Sequence, residues 1–149
     1  MQLPQGNHTT SSVLRNRSMP DQTLIPVLAY PDVAEAVTRL CAVFGFTPRW
    51  RAGDHRAQVG VGDGAAIAIT QGERPTGPGA DHVMVRVDNA DEHCRTARAN
   101  GAEIVSEPTD MPYGERQYAT WDFSGRVWVF SQSVADVAPE DWGGTSEPS

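Results

Sequence analysis

At 149 residues, with 39% hydrophobic and 21% charged residues, the chain has the length of one soluble globular domain able to bury a substantial core. Its formal net charge of −7 argues against nucleic acid or an anionic membrane as the main partner. No apolar run approaches the ~20 residues needed to span a bilayer, and the start of the chain lacks the apolar stretch of a secretory signal, so a cytoplasmic protein is expected.

Residues 1–21 are rich in Gln, Asn, Ser, Thr and Pro without periodicity and read as a disordered or loosely docked arm. The folded domain is expected over 22–135. Its first half, about 24–71, opens with an apolar strand over 24–30. Asp32 then caps a helix, with Glu35 three residues on as in a capping box. Val33, Ala36, Val37, Leu40, Val43 and Phe44 recur at helical spacing, and Gly45 stops the helix. Three strands are predicted at 46–52, 55–62 and 65–71, separated by the turn pairs Gly53-Asp54 and Asp63-Gly64. Gly72 to Ala80 links the halves; its Gly and Pro content breaks any regular element.

The second half, about 82–131, repeats the order: a strand over 82–88, a helix over 90–100 ended by Gly101, then strands at 103–106, 116–121 and 126–131. Matching punctuation lies 56 residues apart, since 88 − 32 and 101 − 45 agree. The element order is βαβββ twice, an α+β fold whose two units form a curved mixed sheet around a cleft, with the helices outside. Residues 136–149 form an acidic tail in which Trp142 has reason to dock on something apolar. Cys41 and Cys94 fall in the helices without a C-x-x-C pair and are expected to be reduced thiols.

Strand alternation sorts the side chains. His82, Met84 and Arg86 share the cleft face of their strand, with Val83, Val85 and Val87 on the helix. Val127 and Val129 face the cleft, and Trp128 and Phe130 the helix. In the first strand Pro26, Leu28 and Tyr30 are placed on the cleft face. Trp50, Tyr113 and Trp121 are the aromatics most able to line or cap the cleft. Tyr113 sits in a loop over 109–114 at its mouth. Arg116 either pairs with Glu115 or Asp122 or receives an anionic group. His55 reads as a solvated loop residue, and His93 as lying on the exposed side of the second helix.

Residues 26–32 (PVLAYPD) with Phe44-Gly45-Phe46, 81–88 (DHVMVRVD) with Asn100-Gly101-Ala102, and 112–118 (PYGERQY) followed by 121–128 (WDFSGRVW) resemble the vicinal oxygen chelate superfamily, the glyoxalase, bleomycin-resistance and extradiol-dioxygenase proteins. The resemblance covers about 24–133. It implies four metal-ligand positions, which fall on Pro26, Ala68, His82 and Val129. Only His82 is a ligand type, and a catalytic metal needs about three protein ligands. No cofactor is therefore expected. The expected function is metal-free binding of a small organic molecule, as in drug sequestration, with a flat or apolar ligand body. The pocket would be built from Leu28, Tyr30, Trp50, His82, Met84, Arg86, Tyr113, Arg116, Trp121, Val127 and Val129. A metal-dependent lyase, isomerase or dioxygenase is the competing enzyme reading; it needs Glu73, Asp81 or Glu115 to enter the cleft. A ligand-free structural or regulatory module is the third. The resemblance also implies a homodimer.

Overall fold

The computed structural model describes residues 16–73 and 81–146, so most of the expected arm and linker lies outside the described residues. Strand β1 (Val27–Tyr30), helix α1 (Val33–Phe44) and strands β2 (Thr47–Ala52), β3 (Arg56–Val61) and β4 (Ala65–Gln71) make the first half. Strand β5 (Val83–Arg86), helix α2 (Ala90–Ala99) and strands β6 (Glu103–Asp110), β7 (Glu115–Trp121) and β8 (Val127–Ser133) make the second. The strand orders are β1-β4-β3-β2 and β5-β8-β7-β6. In each sheet the first strand runs parallel to the last and the other pairs are antiparallel. The doubled βαβββ unit is thus present as two four-stranded mixed sheets, each with its own helix.

The helices begin where their caps predict. Asp32 Oδ1 accepts from the Glu35 N–H at 2.9 Å, and Asn89 Oδ1 accepts from the Glu92 N–H at 3.0 Å. Gly45 ends α1 in the left-handed region, at φ 78°. Strand lengths differ from expectation most at β1, β5 and β6, β5 covering only the middle of the expected 82–88. β1 starts three residues late, because its pairing with β4 begins at Val27–Ala68 and Leu24 is left exposed. β6 runs on through Pro108 to Asp110; as an edge strand bonded only to β7, it tolerates a residue without an N–H.

One core joins the halves. Val33, Ala36, Leu40 and Phe44 of α1 pack on Ala57, Val59, Ile67 and Ile69, and the same cluster continues to Cys94, Ala97, Tyr118, Trp128 and Phe130. Phe44 bridges directly, with its ring 5.5 Å from Trp128 and 5.0 Å from Phe130. Leu28 and Tyr30 belong to this core, which corrects their expected place on the cleft face. His93 is corrected too. It is half-buried, its ring 4.2 Å from Phe130 and its Nδ1 2.5 Å from the Tyr118 hydroxyl, and burial pushes its pKa down.

The halves are also pinned by a polar junction. The tight turn after β7 folds the chain around the Asp122 carboxylate, which is only 8% exposed. Its Oδ1 accepts from the Ser124 N–H and hydroxyl and from the Arg126 N–H. Its Oδ2 accepts from the Tyr30 hydroxyl at 2.7 Å and from the Trp128 indole at 3.0 Å. Arg126, also buried, donates to the Ala29 carbonyl on the free edge of β1 and stacks its guanidinium 5.0 Å from the Tyr30 ring. Burial and then the Asp122 charge drive the Tyr30 phenol far above its ordinary value.

Removing Asp122 leaves these donors buried without their acceptor. Asp122→Ala is expected to lose about 3–5 kcal/mol of unfolding free energy in urea. Tyr30→Phe should lose about 1.5–3 kcal/mol, the range for a hydrogen bond to a charged group. A loss under 1 kcal/mol for Asp122→Ala would show that the junction does not hold the halves together.

Candidate functional site

The faces of the two sheets turned from the helices are built differently. On the second-half sheet the pairing places side chains in four rows. Glu115 lies opposite Ser133, and Gln117 beside Ser131, next to Arg86. Ala119 lies beside Val129, next to Met84, and Trp121 opposite Val127. One end of this open face is polar, the middle is small and apolar, and the far end is aromatic. Met84 is 56% exposed and Trp121 41%, so the apolar part is open to solvent.

The polar end is a single hydrogen-bonded chain. Arg86 Nη1 donates to the Ser133 hydroxyl at 2.6 Å. Ser133 and Ser131 each donate to one oxygen of Glu115, both at 2.5 Å. Gln117 Nε2 donates to Ser131 at 3.1 Å and reaches the Met84 sulfur at 3.9 Å. The Tyr113 hydroxyl donates to Gln117 Oε1 at 3.0 Å. Trp142, from a 3-10 turn in the tail, sets its ring edge-on to Tyr113 at 5.4 Å. Beside this face a cavity of about 320 Å³ opens between the halves, lined by Pro26 and Ala65–Ile67 on one side and Val83–Arg86 on the other. That volume falls in the small-molecule range. A second cavity, about 380 Å³, lies on the helix side between Val43–Gly45 and the residues Asp88, Asn89, Glu92 and His93, away from this network.

Of the residues singled out from the sequence, Met84, Arg86, Trp121, Val127 and Val129 share this open face, and Tyr113 reaches it through Gln117. His82 is exposed and lies just before β5, at the aromatic end. Trp50 is on the other half, under the chain's own arm. Leu28 and Tyr30 are in the core. Arg116 points to the helix side and bonds Asp110 and Asp91, so neither Glu115 nor Asp122 is its partner. Those two carboxylates hold its pKa up. Sequence reasoning missed Glu115, Gln117, Ser131 and Ser133 as a group. The alternation of 115, 117, 119 and 121 with 127, 129, 131 and 133 was the available signal, but only the hairpin register joins the two series.

The metal pattern of the fold does not fit these residues. Pro26, Ala68 and Val129 carry no donor atom, and among the described residues no three His, Cys, Asp or Glu side chains converge as metal ligands. Glu115 cannot share an ion with His82. The register sets them about six strand residues, roughly 20 Å, apart along the sheet. Among the described residues no helix is long and apolar enough to cross a membrane.

Ser131 and then Ser133 hold the Glu115 carboxyl below the usual glutamate value of 4.5. A lowered folded-state pKa means that the charged network stays intact at neutral and mildly acid pH and is lost only as pH falls through that lowered value. A carboxyl-carbon NMR titration should place the Glu115 midpoint below 4.5, and Ser131→Ala should move it upward. A midpoint at or above 4.5 in the unaltered protein would contradict the network.

Residues 21–130 match the family model for the glyoxalase/bleomycin resistance protein/dioxygenase superfamily. No curated protein matches the chain in sequence. Among solved structures, TioX from Micromonospora sp. ML1 is 29% identical, with a TM-score of 0.63 over 78% of this chain and 100% of that one. A glyoxalase/bleomycin resistance protein/dioxygenase from Nocardioides is 21% identical, with a TM-score of 0.61 over 87% and 92%. The fosfomycin resistance protein FosX from Listeria monocytogenes is 16% identical, with a TM-score of 0.62 over 76% and 94%, a likeness of fold alone. With more than two thirds of its length matched and its doubled βαβββ architecture in place, the chain belongs to the glyoxalase/bleomycin resistance protein/dioxygenase superfamily.

Proposed function

We propose that the protein binds a small organic molecule on the open face of its second half, without a metal, and serves to sequester it. One observation carries this reading: an apolar strip, exposed at Met84 and Trp121 and half-buried at Val127 and Val129, ends in the connected polar group of Arg86, Ser133, Glu115, Ser131 and Gln117. Apolar walls with a few convergent polar groups are what small-molecule recognition needs. The flat body of the ligand lies on the strip and its polar group meets Glu115 and Arg86. The cavity along β5 extends this surface toward the first half. The unsuitable metal positions favour binding over metal-assisted catalysis. A cytoplasmic location fits the two free cysteines.

Tryptophan-fluorescence titration against a panel of aromatic antibiotics and metabolites tests the site. For any compound that binds, Trp121→Ala should weaken affinity about tenfold, the loss of one stacking contact plus its buried area. Prior treatment with a chelator should leave the affinity unchanged. Equal binding by Trp121→Ala and Met84→Asp, or loss of binding on chelation, would refute the reading.

A homodimer is also supported by the edge strands that the two sheets leave, β6 among them, which a second copy can cover away from the ligand strip. Sedimentation at high micromolar concentration should give twice the monomer mass. A monomer in the unaltered protein would overturn the assignment.

A further inference from the structure

The open face of the first half is not free. Residues 17–22 lie across it as a strap, and three consecutive residues of the strap each supply one acceptor. The Arg17 carbonyl accepts from Arg49 Nη2 at 3.4 Å, and the Ser18 carbonyl from the Trp50 indole at 3.0 Å. The Met19 sulfur lies 3.9 Å from Gln58 Nε2. Gln58 is only 2% exposed, and a thioether is a weak acceptor for its buried amide. Its Oε1 is held by Arg49 Nη1. A register shift between Pro48 and Trp50 in β2 lets adjacent Arg49 and Trp50 both reach the strap.

The strap is anchored by a side chain. A parallel ladder would have the N–H of residue 26 donate to the Ala66 carbonyl, but Pro26 has none. Gln22 Nε2 donates there at 2.7 Å, and its Oε1 accepts from the Ala66 N–H at 2.5 Å. The carboxamide thus stands in for a peptide group. The rest of the strap is loosely fitted. Residues 16–19 are exposed, and a cavity of about 250 Å³ beside the strap is lined by Pro20, Asp21, Arg49 and Asp63.

We infer that the strap covers a second binding site, in which Arg49, Trp50 and Gln58 receive an aromatic molecule bearing an anionic group such as a carboxylate or sulfonate. Three donors meet the strap there, one of them a guanidinium, and the strap groups that face them are neutral. Trp50 offers a ring for the aromatic body. Asp21 and Asp63 line the neighbouring cavity together with Arg49, so of these charged groups the Arg49 guanidinium is the one that receives the anionic group. This site does not depend on the second-half face. Because the strap must leave, the apparent affinity is reduced by the fraction of molecules in which it is open.

The probes are 1-anilinonaphthalene-8-sulfonate and its uncharged analogue N-phenyl-1-naphthylamine, titrated by fluorescence against the full chain. Gln22→Ala should speed hydrogen exchange of the Ala66 amide and tighten sulfonate binding about five- to tenfold, as the open fraction rises. Arg49→Met in the Gln22→Ala background should remove the gain, and Trp121→Ala should leave it intact. The uncharged probe should not distinguish these variants. The proposal is overturned if Ala66 exchange is unchanged by Gln22→Ala, if freeing the strap leaves sulfonate affinity unchanged, or if the gain survives Arg49→Met or appears equally with the uncharged probe.

Discussion

The arrangement of this molecule depends on one buried carboxylate. Asp122 gathers five hydrogen bonds, three from its own turn, one from Trp128 and one from Tyr30, 92 residues away in the other half. A charge so buried is stable only when its oxygens are this fully engaged. The constraint works in both directions. It shapes the turn that returns β7 into β8, and it draws β1 toward the second half, where Arg126 covers the free Ala29 carbonyl. The aromatic contacts of Phe44 with Trp128 and Phe130 complete the same seam from the helix side.

Once the halves are joined through their helix-bearing sides, the opposite faces are left for function, and they are unequal. The second-half face is an apolar strip ending in a polar network whose groups satisfy one another in series. The first-half face is covered by residues of the same chain, held through Gln22. Pro26 is central to that difference. It falls on one of the four metal-ligand positions that the family resemblance implies, and by lacking an N–H it leaves the Ala66 carbonyl for Gln22. One residue thus bears on both that position and the seating of the strap.

Membership of the superfamily settles the architecture and leaves the chemistry to the residues on these faces. A face with Glu115 fixed between two serines and Arg86 one hydroxyl away offers a ligand both charges at close quarters. In the proposed reading, that face recognises its ligand by shape and hydrogen bonding.

The sequence by itself determined the doubled unit, because caps, glycine stops and periodicity are local and each half carries them at matching positions. It also determined which second-half residues share a face: Trp128 and Phe130 are large and apolar, so Val127 and Val129 had to take the other side. In β1 the same reasoning misplaced Leu28 and Tyr30. Alternation separates two faces but does not say which one a helix will cover, and Val27 and Ala29 on the other face are apolar too, so no polar residue marks the solvent side. Only the tertiary structure decided that Tyr30 meets Asp122, that Arg116 turns to Asp91 and Asp110, and that Glu115 is held by Ser131 and Ser133. These pairings are set by strand register and by the packing of one half on the other, which bring together residues that no local pattern in the chain connects.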